Sequence, residues 1–106
     1  MRHLLILLLA SSSARAIDPH RLADAIYLAE GGPSARRPYG ILSVPVRDRA
    51  HARQICLRTI STAADEWDGR GDFIAFLARR YCPPQSDPLG HRNWIRNTRF
   101  FYRNPR

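Results

Sequence analysis

Lysine is absent from this chain: all 17 basic residues among its 106 are arginine. Acid is scarce as well, with nine acidic residues in all, and Glu30 and Glu66 are the only glutamates. No apolar run approaches the roughly 20 residues needed to span a bilayer, which disfavours a membrane-spanning helix. Beyond the first few residues, His20, His51 and His91 are scattered, and the two cysteines have no fixed histidine spacing. No metal site is therefore expected, and no cofactor. A Ser-His-Asp arrangement, a nucleotide-binding glycine loop and a zinc-finger pattern are likewise missing.

What is present begins at the amino end. Met1-Arg2-His3 is a short basic start, Leu4 to Ala10 an apolar core, and Ser11 to Ala16 a small-residue tail. Ala14-Arg15-Ala16 fits the cleavage rule of a secretory signal, so residues 1–16 are expected to be removed after Ala16. The mature domain is then 17–106, in a secreted or periplasmic setting. Without Arg2 and Arg15 the net charge falls from +8 to about +6. Such a charge favours anionic surfaces. In an exported protein these are envelope polymers and lipids, not nucleic acid. One domain of this size buries only about 60% of its unfolded surface, so a covalent staple helps. Cys56 and Cys82 are the candidate disulfide; two buried free thiols or a bridge between chains are the alternatives. Closing that loop of about 26 residues would contribute about 3 kcal/mol in the chain-entropy model.

The pattern along the chain predicts a mostly α domain of about four helices with one short extended segment. Asp18-Pro19 opens the first helix as N-cap and first-turn proline. Leu22, Ala25, Ile26 and Ala29 then form an amphipathic stripe, and Gly31-Gly32 stop it. Tyr39 to Val46 is apolar and partly β-branched, broken by Gly40 and Pro45. It reads as a short strand or as an extended segment turning into a helix. Asp48 opens the longest helix, with Ala52, Ile55, Cys56, Thr59, Ile60, Ala63 and Trp67 at helical spacing. Asp72 caps a third helix from Phe73 to Cys82, ended by Pro83-Pro84. Asp87-Pro88 repeats the opening pair before a last helix over about Leu89 to Tyr102. Trp94 and Phe101 are assigned to the core, and no internal repeat or domain boundary is found.

Glu30 stands out in this scheme. It lies at the edge of the first helix's apolar stripe, in the last turn, against a Gly-Gly stop. The negative end of the helix dipole and partial burial would both raise its pKa. Those are conditions that keep a carboxylic acid protonated and ready to donate.

The order (apolar)-x-x-(small)-Glu30-Gly31-Gly32, a short loop, and then Tyr39-Gly40-Ile41-Leu42-Ser43-Val44 resembles the signature of the lysozyme-like lytic transglycosylases. In the soluble lytic transglycosylase and goose-type lysozyme branch, a helix ends in Glu-Ser-Gly-Gly and is followed by Gly-Leu-Met-Gln. Ala78-Arg79-Arg80-Tyr81-Cys82-Pro83 stands where that family has Ala-Tyr-Asn-Ala-Gly. The serine after the glutamate is missing here, Ser43 replaces the glutamine, and Cys82 stands in place of the asparagine.

The resemblance implies a small lysozyme-like helical domain that cleaves the β-1,4 bond of peptidoglycan. Glu30 would act first as acid and then as base, assisted by the substrate's own N-acetyl group. Tyr39 and Tyr81 are the implied sugar-stacking residues, and Ser43 would line the cleft. Asn93 and Asn97, a turn apart near Trp94, are candidates for bonding acetamido groups. The expected partner is the glycan strand, met by a monomer with peripheral contact to the anionic envelope and none to nucleic acid. The alternatives are a non-catalytic peptidoglycan-binding module and a cationic envelope-binding protein.

Overall fold

The computed structural model describes residues 17–42 and 44–106; the signal sequence expected at 1–16 and Ser43 lie outside the described residues. Among the described residues there are four α-helices: α1 Pro19–Ala29, α2 Arg49–Glu66, α3 Phe73–Tyr81 and α4 Pro88–Arg103. Two short 3-10 turns, Gly32–Ser34 and Pro38–Gly40, lie between α1 and α2. No strand forms among the described residues.

Each helix starts on an aspartate. Asp18 accepts from the backbone N–H groups of His20 and Arg21, and Asp48 from that of His51. Asp72 accepts from Ala75 and Asp87 from Gly90. Each carboxylate satisfies amide donors that the helix itself leaves open, a contribution of about 1 kcal/mol apiece. The helix ends agree with the glycine and proline punctuation to within a residue or two. Gly31 at φ +115° and Gly32 at φ +58° turn the chain out of α1, in the left-handed region that glycine enters without a Cβ clash.

The apolar stripes meet in one core. α1 packs chiefly along α4 and also against α2, while α3 bridges α2 and α4. Leu22 and Ile26 of α1, Cys56 of α2 and Leu77 of α3 are fully buried, and Trp94 of α4 is nearly so. Burial of each such aliphatic side chain stabilises the fold by about 1.5–3 kcal/mol relative to exposure. Phe101 is only half-buried, so of the two aromatic rings assigned to the core in α4 it is Trp94 that fills it.

One open reading is decided here and one expectation corrected. Of the two forms left open for Tyr39 to Val46 the strand is not seen: Pro38–Gly40 is a tight turn, and residues 41, 42 and 44–48 carry no regular secondary structure. Gly40 and Pro45 break up the run, and nothing extended lies beside it to accept a ladder. The Cys56–Cys82 disulfide is not formed, and both thiols are free. Cys56 points from α2 into the core beside Tyr81, whereas Cys82 sits half-exposed at the C-cap of α3.

Candidate active site

Glu30 is the C-cap of α1, its own N–H bonded to the Ile26 carbonyl at 2.9 Å. The side chain is half-buried and leans on the backbone of Gly40. A Cβ placed on Gly40 would overlap the Glu30 carboxyl carbon and Oε2, and would lie 3.1 Å from Cγ. The glycine of the Tyr39-Gly40 pair is therefore required by contact as well as by its own φ of +67°.

Tyr39, immediately before it, also adopts a left-handed backbone, at φ +61°, the only described non-glycine residue to do so. That conformation costs about 1–2 kcal/mol for an L-residue with a Cβ. The tyrosine ring compensates. It is 3% exposed, packs on Tyr27 with centroids 5.2 Å apart, and accepts a hydrogen bond from Arg53 Nη1 at 3.2 Å. The same guanidinium bonds Asp24 Oδ1 at 2.6 Å, tying α2 to α1. Local strain held by surrounding structure is a mark of functional sites. Here it delivers a bare stretch of backbone to a carboxyl group.

Burial pushes the Glu30 carboxyl above the usual carboxylate range, and the Trp94 indole N–H draws it partly back. Trp94 Nε1 is nonetheless buried short of a formed hydrogen bond, as are Tyr81 Oη and Thr98 Oγ1. Leaving such groups unmatched costs about 1–3 kcal/mol each. Tyr81 stacks on Trp94, centroids 5.1 Å apart and rings 19° from parallel. Its hydroxyl lies beside Cys56, whose thiol burial pushes up to about 11. Burial raises the Tyr81 phenol as well, with the Cys56 thiol and the Glu30 charge acting in the same direction. One carboxyl, one indole, one phenol and one thiol thus share a weakly solvated region, and Glu30 is its one carboxyl.

An open cleft of about 230 Å³ runs past this region. Gly40, Ile41 and Leu42 form one side, Ile55 and Thr59 of α2 the floor, and Arg80 and Tyr81 of α3 the far side. None of the described lining residues is acidic, and Glu30 itself is not among them: it meets the cleft wall through Gly40, against which it leans. Asp48, the nearest acid after Gly40 in sequence, is occupied as the cap of α2.

The structure sorts the residues singled out from the sequence. Glu30, Gly40 and Tyr81 come together. Tyr39 joins them as a buried support whose ring face is already covered by Tyr27, so it is not placed to stack on a sugar. Asn93 is half-buried and Asn97 exposed on α4, and neither lines the cleft. Ser43 lies outside the described residues. Sequence reasoning missed Trp94 and Arg53 as members of the site. The helical stripe gave Trp94 its place in the core but carried no sign that its N–H would face a carboxyl. In comparisons with known proteins no family model matches the chain, and no curated protein or solved structure matches it significantly.

Proposed function

We propose that this is an exported enzyme that cleaves the β-1,4 glycosidic bonds of peptidoglycan, with Glu30 as its general acid and base. The observation that carries the reading is the Glu30 carboxyl: half-buried, raised in pKa, and seated against the bare backbone of Gly40, which lines the cleft. Departure of the leaving sugar requires a proton on the glycosidic oxygen, and a carboxylic acid whose pKa is raised by burial is suited to supply it. Most glycosidases use a second carboxylate. The cleft lining offers none, which suits the single-glutamate scheme of the lytic transglycosylases that the Glu30 to Val44 segment resembles. In that scheme the substrate's N-acetyl group stabilises the developing positive charge. Glu30, once deprotonated, then takes the proton of the sugar's own 6-hydroxyl as it closes to an anhydro ring. Tyr81, on the far side of the cleft, is the surface for the sugar to pack against, and Arg80 beside it offers donors to the glycan's carbonyl oxygens.

The test is mass spectrometry of purified peptidoglycan incubated with the protein and with Glu30→Gln. Loss of a general acid is expected to reduce muropeptide release by about 10²–10⁴-fold while sedimentation with the walls is retained. Release undiminished in Glu30→Gln would overturn the assignment. Wild-type sedimentation without any release would identify a glycan-binding module instead.

A further inference from the structure

A second, larger cavity of about 640 Å³ shares Ile41 with the cleft beside Gly40 and opens as a basin among arginines. Arg36, Arg37, Arg47 and Arg49 line it, and Asp48 is its only acidic lining residue. Asp48 is engaged with the first turn of α2, where its Oδ1 accepts from His51 N at 2.8 Å. The ion pairs found among the described residues use Arg53, Arg80 and Arg99, none of which lines this basin. Two contacts organise it. The Arg49 guanidinium lies over the Tyr27 ring, 5.3 Å from its centroid, and the Arg47 backbone N–H donates to His51 Nδ1 at 3.1 Å.

The same edge of the molecule exposes apolar side chains. Leu42 is 71% and Val44 45% accessible, two of the four large hydrophobic side chains left open to solvent among the described residues. Arginines alone would fit any polyanion, and aliphatic side chains alone would fit a protein groove. Set side by side they fit the boundary of a lipid bilayer, where phosphate headgroups lie a few ångströms above the first acyl carbons. A single-stranded nucleic acid would use the arginines but would favour exposed aromatic rings for stacking over a leucine and a valine. No helix among the described residues is long and apolar enough to cross a membrane, so contact made by these residues is peripheral.

We propose that Leu42 and Val44, with Arg36, Arg37, Arg47 and Arg49 around them, form a docking surface for an anionic phospholipid membrane. The aliphatic side chains enter the acyl boundary and the guanidinium groups take the lipid phosphates. Leu42 also lines the cleft beside Tyr81, but neither Val44 nor the four arginines do, and the membrane contact does not require the Glu30 carboxyl.

Contact at one position is what must be measured. In the full-length chain, Leu42→Trp should be quenched by brominated phosphatidylglycerol vesicles at least about twofold more than wild type, whose own tryptophans are Trp67 and Trp94. Phe100→Trp is the control, because Phe100 is also exposed and lies beside Arg96, Arg99 and Arg103; its fractional quenching should match that of wild type. Arg47→Gln and Arg36→Gln should each weaken partition onto phosphatidylglycerol vesicles by about fivefold, the weight of one basic residue near an anionic surface. Arg96→Gln should change it less than twofold. No added quenching at position 42, equal quenching at 42 and 100, or an Arg96→Gln loss as large as that of Arg47→Gln would each overturn the proposal. Glu30→Gln should bind the vesicles as wild type does, while peptidoglycan release tests the cleft separately.

Discussion

Gly40 decides where the Glu30 carboxyl sits, and it does so by having no side chain. Gly32 gives a control for that statement, because it too has a positive φ, but an added Cβ would only meet Leu28 Cδ2 at 3.6 Å, an ordinary contact. Both Gly40→Ala and Gly32→Ala should lose about 1–2 kcal/mol to backbone strain, measured by urea denaturation. Peptidoglycan release should collapse in Gly40→Ala alone, since only there is the carboxyl displaced. Glu30 itself predicts a pH dependence of stability. Its folded pKa lies above the unfolded one because burial penalises the ion. Below the ordinary carboxylate range the group is protonated in both states and has no effect. As pH rises through the raised folded value, the folded state comes to hold a poorly solvated charge and stability falls. Glu30→Gln should therefore melt higher than wild type at pH 8, with the two curves converging as pH drops below about 4. The thiols are separable as well. With reductant removed, Cys82 should react with a thiol reagent in the native protein. Cys56, fully buried and pushed up to about 11, should react only in denaturant. Failure of both to react in denaturant would mean that the oxidised protein carries the bridge.

Helix boundaries were legible in the sequence because their causes are local. Asp18, Asp48, Asp72 and Asp87 each precede a helix and each cap it through their own side chain. The interaction spans two or three residues, so neighbours in sequence suffice to predict it. One cap has an additional dependence that its sequence does not announce. Gly90 is the residue whose N–H, at 2.9 Å, the Asp87 carboxylate accepts, and a Cβ there would overlap Asp87 Oδ2 and Cγ. Glycine-to-alanine exchange inside a helix normally stabilises by about 1 kcal/mol. In Gly90→Ala that gain should vanish, because the cap must swing away to admit the methyl group. In an Asp87→Ala background, itself about 1 kcal/mol less stable, the gain should return. A double-mutant cycle by thermal denaturation should thus show a coupling of about 1 kcal/mol between two residues on one helix end.

At the scale of the whole molecule, legibility declines with distance along the chain. Four helices and a shared core followed from apolar spacing. The position of Glu30 at a helix end against glycines was readable for the same reason. The Tyr39 backbone conformation, the Arg53 tie from α2 to Asp24 and the approach of Trp94 to Glu30 all depend on helices meeting, and no short window of sequence contains both partners. The free thiols follow the same logic: a count of two cysteines cannot tell that α2 turns one of them inward while α3 ends with the other half-exposed. A further long-range tie joins α4 to the start of α1. Asp18 N–H donates to Tyr102 Oη at 3.0 Å, Arg21 Nε donates to the Tyr102 carbonyl at 2.7 Å, and the Arg21 guanidinium lies 4.9 Å from the Tyr102 ring centroid. A linker of a few residues should span from the end of α4 to Ile17. Gly69 and Gly71, between α2 and α3, have open space where a Cβ would stand, and chains reopened at exposed glycines are well tolerated. Such a permutant should show the wild-type helical circular dichroism and melt cooperatively. In topological terms the four described helices make a closed ring, each packed on the next and the last on the first, and the permutant moves the cut from one joint of the ring to another.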